Sequence, residues 1–199
     1  MVKKNLCFVL ILFVLFFVLS CAGHSVREED PDAIASGSFF SSADLNKVKQ
    51  EVIDSLAESS FISGFKAKNE KPVIMMSQKL KNNTDEHIPT DIITGNVRSA
   101  IINKGLARFI DDQSMRKAIS QLKLQLSDLF SDDKVTEIGN FLGAQYLLRG
   151  TISNLRIKTS NKNDVFYSVN LIIVSIETLE IVWTQETQIR RITKKSKLR

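Results

Sequence analysis

No cysteine follows Cys21 in this 199-residue chain, so the remaining 178 residues must fold without a disulfide or a cysteine metal clip. Apolar burial has to hold them. A chain of this length is expected to form one domain and to bury on the order of two-thirds of its unfolded surface. Hydrophobic residues at 43% and charged residues at 25% are ordinary for a globular protein and exclude both wholesale disorder and a polytopic membrane protein.

The two cysteines, Cys7 and Cys21, fall in a segment with the layout of an export signal. Lys3 and Lys4 precede an apolar stretch over residues 6–19, and the small Ser20 stands before Cys21. That stretch is shorter than the roughly 20 residues a spanning helix needs, so a cleaved signal over residues 1–20 is expected, with a retained anchor as the alternative. Val18-Leu19-Ser20-Cys21 resembles the bacterial lipoprotein box, which implies diacylglycerol attached to the Cys21 thiol. Several acyl chains make such anchoring stable. Residues 21–42, rich in serine and acidic side chains, read as a flexible tether that reaches at most roughly 70 Å and averages about 25 Å.

The formal charge of +5 suggests a nucleic-acid partner until the cations are located. Lys3, Lys4, Arg190, Arg191, Lys194, Lys195, Lys197 and Arg199 lie at the two ends, and without these eight the body holds 19 basic against 22 acidic residues. The body is mildly acidic. Residues 192–199 read as a basic tail, solvated or directed at anionic lipid or an acidic protein face. Export removes nucleic acid as its target.

From Ser42 the apolar residues recur at helical spacing through Leu45, Val48, Val52, Ile53 and Leu56. An extended run over residues 71–81 follows and ends in a polar loop. Thr90 is the expected N-cap of a helix carrying Ile93, Val97 and Ile101, with Gly105 just past its end. Residues 106–110 read as a short strand. A long helix is expected over 113–130 and another over 133–142, stopping at Gly143. Residues 146–157, 165–176 and 181–189 are rich in β-formers and predict a C-terminal three-strand meander, with the loop 160–164 between the first two. The expected class is α+β: helices packed on a small, mostly antiparallel sheet within a domain over residues 43–191.

Catalytic constellations are scarce. His87 is the one histidine of the domain, and neither a phosphate-binding glycine loop nor a dinucleotide turn is present. Asp111-Asp112 and Asp132-Asp133 stand at helix starts, where carboxylates serve as caps and dipole partners. No cofactor, metal or small-molecule substrate is expected, although a hydrolase centred on His87 and nearby carboxylates is a rival reading. The densest polar segment is Asn82-Asn83-Thr84-Asp85-Glu86-His87, which links a strand to a helix. Such loops carry partner contacts, or simply satisfy turn and cap geometry.

The segments 71–74 (KPVI), 82–91 (NNTDEHIPTD), 142–150 (LGAQYLLRG) and 176–183 (IETLEIVW) follow one another across roughly residues 45–191. In that order they resemble the LpoB family of penicillin-binding-protein activators. The sheet pattern is shared with TolB N-terminal-like and CsgG-like domains. The resemblance implies a lipoprotein without enzymatic activity, anchored through Cys21 in the outer membrane and facing the periplasm. Its partner would be a class A bifunctional penicillin-binding protein, which it activates in peptidoglycan synthesis. An envelope-assembly or secretion lipoprotein of the same fold is the alternative. Two departures stand out. The tether of about twenty residues is short for a family that crosses the wall, so either the envelope spacing or the role differs. Leu179 stands where relatives place a turn glycine, and since a left-handed leucine costs roughly 1–2 kcal/mol, another turn type is expected.

Overall fold

A computed structural model describes residues 39–194 except 78, 126, 129 and 130. Cys21, the signal, most of the tether and residues 195–199 lie outside the described residues. Helix α1 spans Ser42–Glu58 and α2 spans Ser60–Ala67. Strands β1 (Val73–Met76) and β2 (Lys81–Asn83), helix α3 (Thr90–Asn103) and the two-residue β3 (Arg108–Phe109) follow. Helices α4 (Asp112–Gln121) and α5 (Asp132–Leu142) lead into β4 (Tyr146–Lys158), β5 (Lys162–Ser175) and β6 (Ile181–Lys194).

The six strands form one sheet in the order β3-β1-β4-β5-β6, with β2 also pairing β4. The meander is antiparallel as expected, but β1 pairs with β3 and β4 in parallel, and β2 runs parallel to β4. The sheet is therefore mixed. Helical crossovers return each early strand in the direction of the last, which only parallel pairing accommodates. The extended run of 71–81 is interrupted: β1 pairs with Tyr146 to Leu148, and β2 resumes opposite Thr151.

Alternation along β1 and β4 sends neighbouring side chains to opposite faces. Ile74, Met76, Leu148 and Ile152 join Val48, Val52, Leu56, Val97 and Ile101 in the main core under α1 and α3. Met75 and Leu147 point the other way, to Met115 and Ile138 of α4 and α5. The domain is thus three-layered at β1 and half-open over the meander, where Leu155, Ile157 and Ile192 are exposed.

Helix α1 starts in a capping box: the Asp44 amide donates to Ser41 Oγ, and Asp44 Oδ2 accepts from the Ser41 amide at 2.8 Å. The helical reading from Ser42 had not separated α2, which Ser59 caps anew. The long helix expected over 113–130 instead ends at Gln121. Lys123 is left-handed (φ 56°), and bonds from Lys123 N to Ser120 O and from Leu124 N to Ile119 O close a Schellman motif. Apolar spacing continues past that stop and misleads. Thr90 is not an N-cap either: Pro89 takes that place without a side-chain bond, and the buried Thr90 hydroxyl donates to Leu80 O at 3.1 Å.

Leu179 does adopt the left-handed conformation (φ 60°), contrary to the expected change of turn. Bonds from Leu179 N to Ser175 O and from Ser175 N to Glu180 O, both 2.9 Å, hold the turn in that shape. The basic run is shorter than the sequence suggests, since β6 continues to Lys194, whose partner in register is Lys162.

Candidate docking loop and groove

The loop from β2 to α3 is organised first by Asn82. Its side-chain oxygen accepts from the Thr84 amide (2.9 Å) and hydroxyl (2.7 Å), and its amide donates to Glu86 O at 2.9 Å. Such an Asx turn fixes the backbone without a regular ladder. Thr84 Oγ1 in turn accepts from Glu86 N at 3.2 Å. This places Asp85 and Glu86 over the end of β4.

Asn154 and Arg156 stand on β4 with the parity of Leu148 and Ile152, facing the helices rather than solvent. Arg156 donates from Nε to Asp85 Oδ2 at 2.9 Å and from Nη2 to both Asp85 Oδ1 and Glu86 Oε1. Asn154 donates to Asp85 Oδ1 and accepts from its amide at 3.3 Å. Tyr167 of β5 donates to Glu86 Oε1 at 2.5 Å, and its ring meets Phe40 edge-on with centroids 5.8 Å apart. One guanidinium serves two carboxylates, so the cluster keeps one formal negative charge.

Arg156 hydrogen bonding, followed by that of Asn154, lowers the Asp85 pKa to about 2. Burial, and then the Glu86 carboxylate, raises the Tyr167 hydroxyl above the usual phenol range. The Asp85 carboxylate raises Arg156 further. None of these shifts creates a proton donor or acceptor poised near neutral pH. Asn83 and His87 are exposed, and neither side chain makes a hydrogen bond among the described residues. Nor does any group of three His, Cys, Asp or Glu there stand together as a metal would need.

Beside the loop lies a groove of about 690 Å³ between the start of α1 and the start of α3. Phe40, Leu45, Ile88 and Ile93 form its inner wall, while Phe39 (66% exposed) and Ile92 (50% exposed) flank it. Asp85 and Glu86 are the charged side chains that line it.

The structure brings two of the six loop residues, Asp85 and Glu86, onto a shared partner and leaves Asn83 and His87 outward. Sequence reasoning missed Arg156, Asn154 and Tyr167. Their signal is parity: a polar pair at core-facing positions of a strand requires partners. Arg190 and Arg191, read as part of a free basic run, are engaged as well. Arg190 donates to Asp164 (2.8 Å from Nη2), which also binds Lys162, and these contacts hold the Asp164 carboxyl well below its usual range. Arg191 Nη2 donates to Asp44 Oδ1 at 2.6 Å and to Ser41 Oγ at 2.7 Å.

The domain is α+β, with a hydrogen-bonded polar loop beside an apolar groove, and no helix among the described residues is long and apolar enough to cross a membrane. The chain belongs to the family described as peptidoglycan-synthase activator LpoB, which matches residues 44–189. That family is one of peptidoglycan-synthase activators. Its fold is shared with the LpoB C-terminal domain from Salmonella enterica, at 20% identity and a TM-score of 0.57, covering 74% of this chain and 99% of that one. The LpoB C-terminal domain from Escherichia coli gives 19% identity, a TM-score of 0.52 and coverage of 71% and 97%. No curated protein matches the sequence.

Proposed function

We propose that this chain is a lipoprotein, anchored through Cys21 in the outer membrane and facing the periplasm, that binds and activates a class A bifunctional penicillin-binding protein. It works by contact, with no catalytic step, cofactor, nucleic acid or small-molecule substrate of its own. The observation that carries the reading is the family match over residues 44–189. Within the loop, Asn82, Thr84, Asp85 and Glu86 hold the shape, and the outward Asn83 and His87 make the partner contact.

Activation requires tighter binding to the active synthase than to the inactive one, and a coupling of 1–3 kcal/mol shifts that balance about 5- to 150-fold. Tethering near the partner raises its effective concentration toward the millimolar range. The test is glycan polymerisation by a purified class A synthase with and without the protein. A several-fold rise in rate that Asn83→Ala and His87→Ala diminish is expected. An unchanged rate, with a secretion complex recovered from solubilised envelopes instead of a synthase, sinks the reading.

A further inference from the structure

We propose that the hairpin end of the β4-β5-β6 meander is a membrane-docking surface, which lays Leu155, Ile157 and Ile192 against an anionic phospholipid bilayer. The inference goes beyond the synthase partnership and rests on the anchor at Cys21 only for bringing the domain to a membrane.

Alternation builds this surface. Leu147, Leu155 and Ile157 share one parity along β4 and point away from α1 and α3. Near the start of β4, helices α4 and α5 cover that face through Met115 and Ile138. The hairpin end is bare: Leu155 is 63% exposed, Ile157 56% and Ile192 50%. In register, Ile157 and Ile192 flank Asp164, and in the adjoining row of the same face Leu155 and Arg190 flank the half-buried Phe166. Single exposed apolar side chains are ordinary, whereas a contiguous group on one face marks an interaction surface.

Charge selects the partner. Arg190 and Lys162 both bond Asp164, so these three side chains leave one surplus cation beside the aliphatic group. Asp164 is itself buried beneath them. The next acid on this face of β6 is Glu186, four residues before Arg190, or about 13 Å along the strand. Asp85 and Glu86 lie across the sheet with Arg156. An anionic bilayer surface buries the apolar side chains and attracts the cation, whose aliphatic stem lies along apolar surface while its head stays at the phosphates. A second copy of this patch would instead set cation against cation.

Position completes the argument, because screening confines such attraction to roughly 8 Å at physiological salt and the patch must be held close. The N-terminal part of the chain enters the fold beside it. Arg191 donates to Ser41 Oγ at 2.7 Å and to Asp44 Oδ1 at 2.6 Å, and Ile192 is the next residue, about 3.4 Å further along β6. Phe40 meets Tyr167 at the same entry. An anchor at Cys21, twenty residues before Ser41, therefore draws this end towards the bilayer, rather than the end where β6 begins at Ile181.

Quenching of tryptophan fluorescence by brominated lipid, which acts only at short range, tests the proposal. Ile157→Trp and, as a control on α3, Ile102→Trp are made in the full chain, whose own Trp183 is buried and gives a common background. In vesicles of brominated phosphatidylcholine with phosphatidylglycerol, the tryptophan at 157 should be quenched several-fold more than that at 102. Leaving out phosphatidylglycerol should lower the quenching at 157 several-fold. Adding Leu155→Ser and Ile192→Ser should remove the difference between the two sites, with an unchanged melting temperature showing that the domain remains folded. Equal quenching at 157 and 102, or quenching at 157 that ignores phosphatidylglycerol, overturns the proposal. So does a blue shift at 157 that grows with protein concentration without vesicles, since the patch then meets a second copy. Flotation with vesicles that Cys21→Ala abolishes reads the anchor separately. A chain that floats with position 157 unquenched keeps the anchor and loses the docking surface. A chain that fails to float loses the anchor, and quenching with vesicles in excess still decides the proposal.

Discussion

Arg156 and Glu86 are separated by seventy residues in sequence, yet they face each other with only a tenth of either side chain exposed. That contact pins the loop between β2 and α3 to the meander. Removing the cation leaves Glu86 buried beside Asp85 with no counter-charge. Arg156→Leu should therefore lower stability by roughly 3–5 kcal/mol, measured by urea unfolding. Adding Glu86→Leu should recover much of that loss, because the uncompensated charge disappears. A double variant as unstable as the single one would show that Arg156 acts by packing alone.

Asp85 carries the pH dependence of the same cluster. Its folded pKa, near 2, lies below the unfolded value of about 3.9, so the native state binds fewer protons between them. The contribution is fully present above about pH 4 and is lost as pH falls through 2. The melting temperature of Asp85→Asn should vary less steeply than that of the parent in this window, with the two curves converging at its acidic end. Parallel curves would exclude the Arg156 contact as the cause.

Arg191 joins β6 to the capping box of α1. Both it and Asp44 are largely buried, at 12% and 6% exposure. Arg191→Ala should cost about 3–5 kcal/mol and lower the melting temperature accordingly. Arg190→Ala, whose side chain is 62% exposed, should cost at most about 1 kcal/mol. The contrast between adjacent arginines separates a structural cation from a surface one.

The helix ends show what the sequence could and could not convey. Four helices finish in the same Schellman geometry, with Gly105, Gly143, Asn69 and Lys123 all left-handed. The two glycines were readable as stops, because glycine adopts that conformation without steric cost. Asn69 and Lys123 gave no such signal, and α4 was expected to continue. The meander was legible from its runs of β-formers. The parallel pairing of β1, β2 and β3 was not, because pairing direction depends on crossovers that local periodicity does not encode. In the candidate site the polar loop stood out, whereas its partner Arg156 looked like any other strand arginine until the parity of β4 placed it inward.

Thr187 is buried at 1% exposure, and its hydroxyl has no hydrogen-bond partner among the described residues. A buried unpaired hydroxyl costs about 1–3 kcal/mol, and valine has nearly the same shape with a high strand preference. Thr187→Val is expected to stabilise the domain by about 1 kcal/mol in urea unfolding. A loss of stability would indicate that the hydroxyl bonds to water.

The turn between β5 and β6 retains a strained residue that glycine would relieve. Leu179 is held at φ 60° and is 43% exposed, so its side chain contributes little burial to offset the conformation. Replacing it removes roughly 1–2 kcal/mol of left-handed strain. Glycine also enlarges the freedom of the unfolded chain, a cost of about 0.5–1 kcal/mol. The net expectation for Leu179→Gly is a gain of roughly 0.5–1 kcal/mol. With each kcal/mol worth about 2–4 °C for domains of this size, the melting temperature should rise by roughly 1–4 °C. Leu179→Ala keeps the strain and loses the side chain, so it should fall at or below the parent. If alanine and glycine shift the melting temperature equally, the leucine side chain rather than the backbone controls stability at this turn.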